Sequence, residues 1–156
     1  VTNSLSVNHL NKLLANFNVL YAKLHHYHWY VKGDQFFVLH EKFQELYEQL
    51  PNIIDDIAER ILAIGGRPAS TLKQYIELSS IAEASGREKA EEMVEQLERD
   101  YSMLADELKN GVQLAEKAGD IVTADLLTGI AVTCEKTAWL LRSYLPANVP
   151  SQFQHV

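Results

Sequence analysis

Residues 25–60 read HHYHWYVKGDQFFVLHEKFQELYEQLPNIIDDIAER, and the apolar spacing of this stretch decides the fold. After the turn, Leu46, Leu50, Ile53, Ile54 and Ile57 recur three and four residues apart. The series continues through Ile61 and Ile64 to Gly65-Gly66-Arg67-Pro68, which ends it, so the period is that of a helix with one apolar face. Upstream, Leu10, Leu13, Leu14, Phe17, Leu20, Tyr21 and Leu24 line one face of a preceding helix, with Ser6 as its expected N-cap. Lys32-Gly33-Asp34 supplies the stop and the turn between the two. Two long helices joined this closely form an antiparallel hairpin.

The pattern repeats downstream. Met93, Val94, Leu97, Tyr101, Leu104 and Leu108 lead to Gly119, and Leu127, Ile130, Ala131, Cys134, Ala138 and Leu141 lead to Pro146. The spacing predicts helices over about 6–31, 36–64, 87–117 and 120–145, with a small one over about 73–79 inside the single long connection. One domain spans 1–156. It is all-α, a ferritin-like four-helix bundle with a short extra helix between the second and third, because a long crossover separates such bundles from those with uniformly short loops. Pro51 falls inside the second helix, where it costs a hydrogen bond to the carbonyl of Tyr47 and favours a bend. The apolar phase is unbroken across it, so one helix is expected. Pro146 to Val156 reads as a partly loose tail.

Composition narrows the function. Apolar residues make up 47% of the chain, with seven Gly and four Pro, which suits a helical core and not a turn-rich β fold. The net charge of -7 and the lack of any Lys/Arg cluster argue against a nucleic-acid footprint and a polybasic membrane patch. No apolar run approaches a bilayer span. Val1-Thr2-Asn3-Ser4 has no charged start or apolar block of a signal peptide. Cys134 is the only cysteine, which excludes an internal disulfide and makes the cytoplasm the expected compartment.

Four residues carry metal chemistry. His28 and His40 lie twelve residues apart across the turn, and Asp55 and Glu59 are four apart on the second helix. Carboxylates at that spacing stack on one helical face and can share a metal. With Ile57 at zero and 100° per residue, both fall at roughly 160° on either side, opposite the apolar stripe and pointing out of the bundle. On spacing alone they also read as an ordinary solvated acidic face. His28 falls near 20° from Phe17, roughly within the apolar stripe of its own helix, where a histidine is ordinarily a hydrogen-bonded core residue. Fifteen residues separate His40 from Asp55, about 22 Å of helix, whereas metal–ligand bonds are about 2 Å long. A site using all four therefore takes histidines from one chain and carboxylates from another, twice over about a two-fold axis. Imidazole with carboxylate suits Fe(II), without the thiolates that favour zinc or clusters. The Glu-x-x-His pairs of di-iron sites inside ferritin-like bundles are missing, since no Glu precedes any of the six histidines by three residues.

His28-Trp29, Gly33, Phe36 or Phe37, Leu39-His40, Phe43, Tyr47, Asp55, Ala58-Glu59-Arg60 and Gly65 together resemble the pattern of the Dps proteins, a miniferritin branch of the ferritin-like superfamily. The resemblance covers nearly the whole chain. It implies a hollow homo-dodecamer that oxidises Fe(II) with hydrogen peroxide, or more slowly dioxygen, and stores Fe(III) mineral against oxidative damage. It implies ferroxidase centres of two irons at two-fold interfaces, with His28 of one subunit and Asp55 and Glu59 of its neighbour on the first iron. His40 and a bridging Glu59 would complete the second position, with zinc as a competitor. Trp29 would stand beside the centre as a radical quencher or an interface aromatic. Glu41, Glu45 and Glu48 would seed mineral on the cavity wall, or form a solvated face, and Gln44 stands where some relatives carry another acid. Asp120 and Asp125 would line acidic three-fold pores that admit iron, although an N-cap role alone would account for Asp120.

The family also includes proteins that compact DNA, and that is the alternative reading. Such members often use basic terminal extensions. The residues before the first helix and those from Ala147 to Val156 contain no Lys or Arg, and twelve copies would carry about -84. DNA binding is therefore not expected, and neither is membrane association.

Overall fold

The computed structural model describes residues 3–146, the side chain of Asn3 excepted. The expectation of a loose tail falls almost wholly on 147–156, outside the described residues. Five helices run in the order α1 (Asn3–Tyr30), α2 (Phe36–Ala63), α3 (Leu72–Leu78), α4 (Ala90–Lys117) and α5 (Ile121–Tyr144). Among the described residues there is no strand. The four long helices make the expected bundle: α1 packs against α2 and α4, α4 against α5, and α3 against α1. No helix among the described residues is long and apolar enough to cross a membrane.

The turns follow from glycine. Gly33 and Gly65 adopt φ of 112° and 85°, a region closed to most side chains, and each lies where a long helix has just ended. α2 runs unbroken from Phe36 to Ala63 with Pro51 inside it. The apolar faces meet in one core that includes Leu13, Phe17, Leu20, Leu24, Phe43, Leu46, Ile57, Leu97, Leu104, Leu108, Leu127 and Cys134.

Two helix starts differ from the sequence expectation. α1 begins at Asn3, so Ser6 is not an N-cap; it lies buried within the helix. α4 begins at Ala90 because the three residues before it are held as a loop. The Glu88 carboxylate accepts the amides of Ser85 at 2.7 Å and Gly86 at 3.2 Å. The Lys89 amide donates to Glu92 at 2.8 Å, closing the first turn. α3 carries a full capping box between Thr71 and Gln74.

The long connection is fastened to α1 by two asparagines. Asn11 donates to the carbonyl of Arg67 at 3.0 Å and accepts the amide of Ala69 at 2.8 Å. Asn16 is fully buried. Its oxygen accepts the amide of Ser80 and the hydroxyl of Ser79, both at 2.8 Å, and its amide donates to Glu107 of α4 at 2.7 Å. One side chain of α1 thus satisfies groups of two other segments, and its own groups are satisfied in return, which is the condition for burying it. A second polar tie crosses the interior: Lys23 of α1 pairs with Asp100 of α4 at 2.7 Å, both side chains nearly closed to solvent. Burial raises the carboxyl of Asp100 above its ordinary range, with the Lys23 ammonium opposing.

Candidate metal centre

His28 is in the last turn of α1 and His40 in the second turn of α2, so the Gly33 turn brings them face to face. Their rings stack with centroids 3.7 Å apart and planes inclined by 15°. The backbone contact is reciprocal. His28 Nδ1 donates to the carbonyl of His40, and His40 Nδ1 donates to the carbonyl of His28, each at 2.7 Å. A carbonyl can only accept, so each Nδ1 carries a proton, which places the lone pair of the neutral tautomer on Nε2. That is the tautomer a metal ligand needs, fixed by a backbone partner of the kind that orients metal-binding histidines elsewhere. His28 is 7% exposed. It is both a hydrogen-bonded core histidine, as its helical phase suggests, and a side chain with one nitrogen in reserve.

Around this pair the rings continue. Phe36 covers the other side of His40 at 4.9 Å, and Tyr47 meets His28 at 5.3 Å nearly perpendicular. Tyr47 in turn stacks on His25 at 4.0 Å, and His25 touches Trp29 at 5.3 Å. Trp29 is largely exposed. The sequence reading does not single out His25 or Tyr47 as site residues. Their signal is in the spacing: Tyr21, His25 and His28 share one face of α1, and Phe36, His40 and Tyr47 share one face of α2. Only the pairing of the two helices shows that these faces meet.

Asp55 and Glu59 are exposed, while Ile57 between them is buried. Along α2 they lie about 22 Å (Asp55) and about 28 Å (Glu59) from His40, roughly half the length of that helix or more. Among the described residues, no three His, Cys, Asp or Glu side chains come together in a way that could hold a metal ion. The structure therefore joins the two histidines, leaves the two carboxylates apart from them, and turns those carboxylates outward. Cys134 takes no part: it is buried, and burial, aided by Glu135, pushes its thiol up to about 12.

The remaining acids differ in how committed they are. Glu41, Glu45 and Glu48 are exposed on α2. Glu45 pairs with Lys42 at 3.2 Å, and Glu48 accepts from Gln44 at 2.8 Å. Asp120 is the N-cap of α5, accepting the amide of Thr123 at 3.0 Å and its hydroxyl as well. It also pairs with Arg60 at 2.8 Å. Partial burial pushes its carboxyl up, but Thr123 and Arg60 outweigh that and hold it below the ordinary range. Asp125 is exposed on the first turns of the same helix.

Comparison with known proteins adds four findings. A family model described as a ferritin-like domain matches residues 7–147. The chain is 56% identical over 136 residues to DNA protection during starvation protein 2 of Bacillus anthracis, covering 87% of this chain and 93% of that one. Its fold is similar to a Dps protein from Bacillus brevis, with a TM-score of 0.91 and 46% identity over 93% of this chain and 97% of the other. It is also similar to a Dps protein from Vibrio cholerae, described as a member of a broad superfamily of ferritin-like diiron-carboxylate proteins. That TM-score is 0.89 at 33% identity, over 93% and 91% of the two chains.

Proposed function

Because the chain belongs to the Dps family of ferritin-like proteins, we propose that it oxidises Fe(II) at centres shared between subunits and stores the Fe(III) as mineral inside a hollow dodecamer. The observation that carries this reading is the reciprocally bonded His28–His40 pair. It offers two nitrogen lone pairs and no carboxylate, while Asp55 and Glu59 of the same chain face outward beyond its reach. A second copy related by a two-fold axis supplies what each half lacks.

In this reading His28 with the partner's Asp55 and Glu59 takes one Fe(II), and His40 with the bridging Glu59 takes the second. Zinc competes, since it accepts the same ligands. Hydrogen peroxide is the oxidant, with dioxygen slower. Two Fe(II) give one electron each; the O–O bond breaks, and two protons complete two waters. No hydroxyl radical is released, because both electrons arrive together. Ferric iron then passes to the cavity, where Glu41, Glu45 and Glu48 seed the mineral. Protection of DNA, which the name of the Bacillus anthracis relative records for that protein, follows here from removing iron and peroxide in the cytoplasm. Compaction by direct contact is not favoured at a net charge of -7 per chain.

The test is size-exclusion chromatography with in-line iron analysis, after anaerobic loading with Fe(II) and addition of half an equivalent of hydrogen peroxide per iron. Iron well above two per chain, co-eluting with a particle of about twelve subunits, is expected. A small species without retained iron would sink the proposal and leave a plain helical bundle.

A further inference from the structure

We propose that Tyr47, braced by His25, is a positioning residue that holds the His28 imidazole in its metal-receiving orientation. The inference rests on the shared-iron reading and extends it to residues outside the ligand set.

The backbone bond at Nδ1 fixes one atom of each imidazole but does not by itself fix the plane of the ring. The plane is set by what lies on either side. His28 and His40 cover one face of each other at 3.7 Å. His40 is closed on its far side by Phe36, at 4.9 Å and 26°. His28 meets Tyr47 nearly perpendicular, at 5.3 Å and 82°. The four rings therefore form a row in which each histidine has one imidazole neighbour and one carbocyclic wall.

The Tyr47 wall is itself held. Its ring stacks on His25 at 4.0 Å and 21°, and meets the Tyr21 ring at 6.2 Å and 79°. His25 is fixed in turn by donating Nδ1–H to the carbonyl of Tyr21 at 2.8 Å and by the edge of the Tyr21 ring at 4.5 Å. Tyr47 cannot turn away from His28 without leaving His25. Partners that orient a ligating histidine typically contribute about tenfold to a hundredfold in metal affinity. A ring wall without a hydrogen bond belongs at the low end of that range.

The test compares Tyr47→Phe, which keeps the ring, with Tyr47→Leu, which removes it, in the assembled particle. The readouts are anaerobic Fe(II) titration calorimetry and the visible spectrum of Co(II) bound in place of iron. Tyr47→Phe is expected within about twofold of wild type, whereas Tyr47→Leu loses about tenfold in affinity with altered Co(II) bands. A crystal structure of Tyr47→Leu is expected to show His28 in more than one rotamer. Tyr47→Leu binding within about twofold of wild type, with an unchanged Co(II) spectrum, would overturn the role while leaving the iron site intact. Should wild type and His28→Ala both fail to bind Fe(II), the shared site itself falls and this role with it. If Tyr47→Leu does not assemble, His25→Ala removes the brace alone. A loss of about threefold is then expected, and unchanged affinity overturns the proposal.

Discussion

An aspartate at the start of a helix can cap that helix or hold a passing cation, and Asp120 is committed to the first use. Its oxygens accept from Thr123 and from the Arg60 guanidinium, which also donates to the Thr123 hydroxyl at 2.8 Å. Arg60 follows Glu59 on α2, so the cap ties the carboxylate helix to the start of α5. Among the described residues Asp125 has no such ties, and it faces solvent. Asp120→Ala is expected to destabilise by about 1–2 kcal/mol, the usual value of a lost cap, whereas Asp125→Ala stays within about 0.5 kcal/mol. If Asp125 supplies the pore, its variant slows Fe(II) uptake in stopped-flow oxidation without changing the melting temperature. A stable Asp120→Ala would show that the cap is dispensable. At this scale the sequence was legible in kind but not in detail. Phase placed His28 on the buried face, yet it could not say which ring nitrogen is free. That depends on a carbonyl of the facing helix, twelve residues away.

Elements were easier to read than their fastenings. The periodicity of α2 carried it through Pro51, and Gly33, Gly65 and Gly119 marked where the long helices stop. The start of α4 was read three residues early, because helix spacing cannot reveal that Glu88 turns back on its own loop. Nor does a lone Asn16 in an apolar stripe announce that it pins a connection more than sixty residues away. Glu88 makes the loop pH-sensitive. Partial burial pushes its carboxyl up, but the amides of Ser85, Glu88 and Gly86 and the Ser85 hydroxyl outweigh this and hold it at about 2, from an ordinary 4.5. A carboxyl depressed in the folded state stabilises above its unfolded value, and that contribution is lost as pH falls through the window from 4.5 to about 2. Discounted for solvent screening, the contribution is about 1 kcal/mol. Thermal melts of wild type and Glu88→Gln between pH 6 and about 2 should therefore converge toward acid, with the variant less stable by the full amount only at the upper end. Parallel curves across that window would show that the loop bonds contribute nothing.

The whole chain exposes more apolar surface than a solitary bundle needs. Phe37 is 83% exposed, Leu72 81%, Ile121 75% and Trp29 67%, on four different parts of the fold. Exposed apolar groups of this size are expected to be covered when copies assemble. Charge sets the other limit on what the chain can touch. Phosphate binding needs free Lys and Arg, but many here are already engaged. Lys12 pairs with Glu107, Lys23 with Asp100, Arg60 with Asp120, Lys109 with Glu135 and Arg142 with Glu98. Each chain carries a net charge of -7, so copies that assemble add acid faster than base. Plasmid DNA mixed with the assembled protein is therefore expected to run unretarded at neutral pH and about 0.15 M salt. Weak retardation at low salt that disappears there would be a counterion effect and leave the iron reading untouched. Retardation that persists would mean that cations from several chains are gathered on one outer face. Protection would then include direct shielding of the duplex, and Lys32, Arg87 and Lys89, which cluster beside the Gly33 turn around one surface pocket, would be the first to replace.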